Sequence, residues 1–225
     1  MHKIPHDRVP DLWPRERVNM GFMVSKSIRH VLIELLPKIT MFLKRHDPAP
    51  LQTTPQSTIN AALRFMHENI ERLFAIDARG ADLKLLFTLL EELPVTNNLE
   101  EITVSNNHLD GDNVSKIASL FKRCPNLKKV DLGTNFIFTN EAITVFAMAL
   151  RDTRSTSMEW FIMDQNQIRG PEAIVLARAV SRYNVLNKAN MRLSLDANFV
   201  SPEDQDTIHY HWPNVVTFGT QIPWV

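Results

Sequence analysis

The sequence predicts an α/β solenoid segment: a short parallel sheet on a concave face, helices on a convex face, and a helical arm in front. Three observations carry this. An eleven-residue pattern with apolar residues at alternate positions and a fixed asparagine occurs four times in order. The asparagines Asn107, Asn135, Asn166 and Asn198 are spaced by 28, 31 and 32 residues. Each copy is followed by an amphipathic stretch of helical period.

In chain order, the arm comes first. Seven of the thirteen prolines (positions 5, 10, 14, 37, 48, 50 and 55) lie within residues 1–55 of the 225. Residues 1–55 carry nine Lys+Arg and five Asp+Glu, a formal +4, which leaves −4 on residues 56–225 and zero for the chain. Between Arg15 and Arg45, Val18, Phe22, Ile28, Val31, Leu32, Leu35, Leu36, Ile39, Phe42 and Leu43 stand at helical spacing. The expectation is a helix, broken or kinked at Pro37, which lacks an N–H and clashes with the preceding turn. Such a helix would cap the hydrophobic end of a repeat stack or serve as an amphipathic anchor for a partner or a membrane surface. The run from Asp47 to Thr58 concentrates turn and breaker residues and reads as a linker. The chain thus divides into a Pro-rich, basic, partly helical arm (1–55) and a repeat domain (56–225).

The four copies begin at Leu99, Leu127, Met158 and Asn190. Each alternates over a short strand: Ile102 and Val104, Val130 and Leu132, Phe161 and Met163, Leu193 and Leu195. Helix starts follow. Asp110-Gly-Asp112 precedes Val114, Ile117, Leu120 and Phe121; Thr139-Asn-Glu141 precedes Ile143, Phe146 and Leu150; Gly170-Pro-Glu172 precedes Ile174, Ala177 and Val180. Pro171 and the early acids suit a first helical turn. Moving back 28 residues from Ile102 and Val104 reaches Phe74 and Ile76, with Arg79 where the asparagine would stand and a helix over Asp82–Leu93. Gln56–Glu68 is expected to be the helix before that strand. Near the end, Pro213-Asn-Val215 through Phe218 parallels Pro125-Asn-Leu127 through Val130, which predicts a last short strand near residue 216. About five repeats result, degenerate at both ends.

The pattern LxxLxLxxNxL, met four times over roughly residues 70–218, resembles the leucine-rich repeat family, and its period resembles the long, ribonuclease-inhibitor-like class. The resemblance implies a right-handed α/β horseshoe segment. It also implies that Asn107, Asn135, Asn166 and Asn198 form a structural ladder whose amides satisfy turn backbone groups. Asn135-Phe136-Ile137 and Asn198-Phe199-Val200 are also similar to the repeats of tropomodulin-type actin-capping domains and of Ran GTPase-activating proteins. That implies, as an alternative function, regulation of a GTPase or of actin filament ends.

Composition argues against most chemistry. Neutral overall charge disfavours nucleic-acid binding through a basic surface. There is no GxGxxG and no GxxxxGK[ST] among only six glycines. A single Cys124 excludes an intrachain disulfide framework and multi-cysteine zinc sites, and it reads as a buried small apolar residue. His209-x-His211 near Asp206 lacks a third convergent ligand. No signal peptide, transit peptide or transmembrane segment is recognisable, which predicts an intracellular location; the Asn113-Val-Ser115 sequon reads as coincidental. The expectation is a protein without catalytic residues, cofactor or metal.

Function is expected on the concave strand face, where side chains between the core positions point outward. These are Glu101, Thr103 and Ser105; Lys129, Asp131 and Gly133; Trp160, Ile162 and Asp164; Arg192, Ser194 and Asp196; and Leu73, Ala75 and Asp77 of a first repeat. Asp77, Asp164 and Asp196 are expected to share one acidic column. Trp160 and Ile162 place two large apolar groups on a face that should be wet, which points to one or more partner proteins.

Overall fold

The computed structural model describes residues 30–36, 39–44, 59–81, 83–94, 97–137 and 139–219. Its elements in order are β1 (His30–Leu36), β2 (Ile39–Lys44), α1 (Ile59–Glu68), β3 (Leu73–Asp77), α2 (Leu83–Glu91), β4 (Glu101–Thr103), α3 (Gly111–Arg123) and β5 (Lys129–Asp131). There follow α4 (Asn140–Asp152), β6 (Trp160–Ile162), α5 (Gly170–Asn187), β7 (Arg192–Ser194), α6 (Pro202–His211) and β8 (Val216–Thr217). All eight strands form one sheet in chain order, and β3 to β8 are six parallel strands alternating with helices. This is a mixed α/β, solenoid-like arrangement. The helices pack in the same succession, α3 on α4, α4 on α5 and α5 on α6.

The core lies between sheet and helices. From β4 to β7 and the residue just past each it takes Ile102, Val104, Val130, Leu132, Phe161, Met163, Leu193 and Leu195, all buried. They alternate along each extended segment, so one face of it is apolar and turned to the helices. Phe121 and Phe146 meet Phe161 edge to face, with centroids 5.5 and 5.3 Å away, and join three consecutive units in one aromatic cluster. Helix starts are capped as their residue types require. Asp110, Thr139 and Ser201 accept hydrogen bonds from the backbone N–H groups of Asn113, Ala142 and Asp204 at 2.9, 3.2 and 3.1 Å. At α5, Arg169 occupies the cap position and makes no side-chain cap bond.

Three expectations need correction. Part of the expected arm helix is instead an antiparallel hairpin: β1 pairs with β2, from His30 opposite Lys44 to Leu36 opposite Ile39, and β2 pairs with β3. Leucines at helical spacing are mixed here with the β-branched Val31, Ile33, Ile39 and Thr40, and only Pro37 and Lys38 separate the two runs. A strand beside β3 also satisfies backbone groups that a helix would leave unpaired. Val18, Phe22 and Ile28, and the linker Asp47–Thr58 with the domain boundary inside it, lie outside the described residues.

The first repeat is offset by 26 residues, since Ile76 pairs with Ile102. Ala78 therefore takes the place of Val104: its N–H donates to Thr103 O as Val104 N–H donates to Asp131 O. Gly80 corresponds to Asn106, and Ala81, not Arg79, stands where the asparagine would be. The backbone agrees. Gly80 has φ 56°, and the residues preceding the four ladder asparagines, Asn106, Thr134, Gln165 and Ala197, have φ 57, 57, 51 and 54°. Glycine adopts this left-handed turn without the steric cost a Cβ imposes. At the other end Val216 pairs with Leu193, so Phe218 follows in the place of Leu195 rather than of Leu193.

Candidate functional site

The turns behind the strands are built by four asparagines. The Asn135 amide donates to Val104 O, Leu132 O and Gly133 O at 2.9, 3.0 and 3.2 Å, and its Oδ1 accepts from Asn107 N–H at 3.0 Å. Asn107 and Asn166 repeat the donor set one unit before and one unit after. Asn166 Oδ1 accepts from the N–H groups of Asn135 and Ile137 at 3.0 and 2.9 Å. Asn198 closes the row, donating to Met163 O and Leu195 O at 2.9 and 3.1 Å and accepting from Ile168 N–H at 3.1 Å. The asparagine amide carries two N–H donors and an acceptor oxygen on one short side chain, where a hydroxyl would offer a single donor. These residues hold the scaffold.

The pairing of the strands sets the outward side chains in columns. One runs Ala75, Glu101, Lys129, Trp160, Arg192; the next runs Asp77, Thr103, Asp131, Ile162, Ser194, Thr217. Asp77 therefore lines up with Thr103 and Asp131. The expected column of Asp77, Asp164 and Asp196 is thereby corrected: Asp164 and Asp196 share a column with Ser105 and Gly133, and Asp77 does not. The 26-residue offset of the first unit is the reason. Leu73 and Ala75, expected on the open face, are buried, as is Ser194.

The carboxylates largely serve the turns. Asp131 accepts from Gly133 N–H at 3.0 Å, Asp164 from Asp196 N–H at 3.0 Å, and Asp196 from Gly219 N–H. Asp77 is ion-paired with Arg79 at 3.2 Å. Burial pushes the Asp164 carboxyl above its ordinary value, and the neighbouring charges of Asp196 and Asp131 push the same way. Hydrogen bonds from Ser194 and the Asp196 backbone pull it down.

The aromatic end of the face is different in kind. The Arg192 guanidinium lies 5.8 Å from the Trp160 ring centroid, a cation–π contact between neighbours of one column. No ion pair engages Arg192 among the described residues, whereas Lys128 is held by Glu100 at 2.9 Å. Beside them opens a pocket of about 420 Å³ lined by Lys128, Ser157, Glu159, Trp160, Asn190 and Arg192. Lys128, Ser157 and Asn190 escape sequence reasoning because they precede the strands. Their nearness to Trp160 in the repeat alignment was the one signal that could have found them. Glu101, Thr103, Lys129 and Ile162 also lie on this face, Glu101 exposed and the others half-buried.

Elsewhere, burial pushes the Cys124 thiol up to about 11, against a hydrogen bond from Asn97 and the charge of Arg123, so it is protonated near neutral pH. His209 packs edge-on to Phe218 at 5.4 Å, and His211 packs against the rings of Tyr210 and Trp212. Among the described residues no group of three or more His, Cys, Asp or Glu could hold a metal ion. Among them, too, no helix is long and apolar enough to cross a membrane. No protein-family model matches the chain, and no curated protein matches it either.

Proposed function

We propose that this chain is a leucine-rich-repeat solenoid of the ribonuclease-inhibitor-like class. In this reading it acts as a non-catalytic adaptor or assembly subunit that binds a partner protein through its concave strand face. The asparagine ladder supports the family reading, because four amides bridging consecutive turns are what the motif LxxLxLxxNxL demands. The observation that carries the function is the Trp160–Arg192 pair beside an open pocket. A large ring and an arginine without a carboxylate partner among the described residues form a contact surface of the kind that dominates binding energy between proteins. Lys129, Asp131, Ile162, Asp164 and Asp196 surround it and would set orientation and selectivity.

The test is quantitative capture of binding partners by the wild-type chain, by Trp160→Ala and by Asp164→Lys. A partner of this face is recovered by the wild type and depleted about tenfold or more by Trp160→Ala. If neither change altered the recovery of any protein, the reading would be lost.

A second reading, regulation of a GTPase or of actin filament ends, is favoured by Phe136 and Phe199. These residues stand directly after the asparagines in the tropomodulin-like and Ran-activator-like segments, and both are exposed. It requires that the chain change GTP hydrolysis or filament-end growth, and that Phe136→Ala reduce the effect.

A further inference from the structure

The helix face opposite the sheet is not uniformly polar. Of the seven exposed large hydrophobic residues among the described ones, four lie on α4 and α5: Met148, Val175, Val185 and Leu186, the last two 76% and 52% exposed. The α5 residues fall on one stripe. Val175, Arg178, Arg182, Val185 and Leu186 recur at helical spacing on the side away from the buried Ala173, Leu176, Ala177 and Val180. On α4, the exposed Met148 and Arg151 turn away from the buried Ile143, Phe146 and Leu150, and the half-buried Ala147 lies at the edge of that buried face. The two stripes meet in a groove of about 240 Å³ whose floor is Ala147, Met148, Val175 and Ala179 and whose rim is Arg151, Arg178 and Arg182.

The rim is one-sided in charge. No carboxylate lines the groove. Arg151 is paired with Asp152 at 2.9 Å, Arg178 lies over the Trp212 ring, and neither Arg178 nor Arg182 forms an ion pair among the described residues. An apolar floor between two parallel helices accepts a third helix laid along it, with side chains at i, i+3, i+4 and i+7 filling the groove. Unpaired guanidinium groups on the rim select carboxylates.

We propose that the α4–α5 groove is a second binding site, independent of the strand face, and that its occupant is an acidic amphipathic helix of a partner protein. Charge disfavours the alternatives within this chain. Residues 1–55 carry a formal +4 and would be repelled by the rim, and a second copy docked groove to groove would set arginine against arginine. The concave shape between the helices suits inserted side chains better than a flat lipid surface.

The experiment titrates the full chain with a synthetic helical peptide that has leucines at i, i+3, i+4 and i+7 and glutamates elsewhere. A scrambled peptide of equal composition, phosphatidylserine vesicles and sedimentation of the chain alone are run beside it. The expected result is saturable binding of the first peptide, at least about tenfold weaker binding of the scrambled one, and a similar loss in Arg182→Glu and in Val175→Asp. Both positions are exposed on the helix surface, and Met148→Asp on α4 repeats the test should either variant unfold. Trp160→Ala is expected to bind the peptide as the wild type does, so failure of the strand-face reading would leave this result standing. Equal affinity for the scrambled peptide, or unchanged binding in the groove variants, would overturn the proposal. So would binding to vesicles but not to peptide, or a dimer that Met148→Asp dissociates.

Discussion

Asn135 satisfies the turns of consecutive units at once, and its replacement shows what the ladder is worth. Asn135→Ala strips donors from Val104 O, Leu132 O and Gly133 O and the acceptor from Asn107 N–H, all in a buried site. With one to three kcal/mol lost per stranded polar group and some relief by relaxation, the expected cost is roughly 3 kcal/mol or more, read as a lower urea midpoint. Asn135→Asp should be comparably damaging, because a carboxylate keeps the acceptor and loses the donors. A near-neutral Asn135→Asp would show that the ladder acts by volume alone. Cys124 gives a pH signature. Its thiol is raised from 9.0 to about 11 in the fold, so the neutral form is favoured there. The associated stability is fully present below about pH 9 and is lost as pH rises through about 11, a decline of about 2–3 kcal/mol. Unfolding titrations of wild type and Cys124→Ala across that window should diverge by this amount, and the native thiol should resist a disulfide reagent at neutral pH. Parallel curves would mean the thiol is less buried than the fold places it.

Among elements, the legible ones are those whose burial is one-sided. β4 to β7 announce themselves by alternation, α3 and α4 by period and caps, and α5 by period and Pro171 in its first turn, because sheet and helix share one core and each must keep one apolar face. The hairpin of β1 and β2 was not legible, since Val31, Leu32, Leu35 and Leu36 satisfy a helical period as well as a run of strand residues. What decides between them is the open edge of β3, a fact about tertiary structure. The 26-residue offset of the first unit was hidden for a related reason. With Ala81 in the asparagine position there is no marker, and Gly80 betrays the turn only through its backbone conformation. Of the strand-face candidates, the Trp160–Arg192 neighbours were legible from the repeat alignment, while the burial of Ser194 and the wrong column for Asp77 depended on contacts and offset. At α5 the local signals also leave something undone. Arg169 makes no side-chain cap bond, a positive charge stands at the positive end of the helix, and Glu172 Oε2 is buried without a hydrogen-bond partner among the described residues. Arg169→Ser would create Ser-Gly-Pro-Glu, a capping box in which the hydroxyl accepts from the Glu172 N–H. The expected gain is about 1 kcal/mol, seen as a higher melting temperature, and no gain would show that backbone demands at the bridge to Phe199 outweigh the cap.

For the whole molecule, the sequential sheet means that most contacts join nearest neighbours, so stability should be distributed along the row rather than concentrated in a single nucleus. Position in the row then decides what a core mutation does. Phe161 sits in the middle, fully buried and in edge contact with Phe121 and Phe146 of the preceding units. Phe161→Ala removes a shared knob from three units, and a loss of about 3–5 kcal/mol is expected. Because Phe161 also stands opposite Val130 of β5 and Leu193 of β7, amides from β4 to β7 should lose hydrogen-exchange protection together. Val216 is also buried but belongs to the last described strand, which among the described residues pairs only with β7. Val216→Ala deletes less volume and disturbs one interface, so its expected cost is about 1–2 kcal/mol, with faster exchange confined to β7, α6 and β8. The contrast is the measurement. If Val216→Ala lowered protection as far back as β4, the row would unfold as one cooperative block, and the nearest-neighbour account of this solenoid-like row would have to be given up.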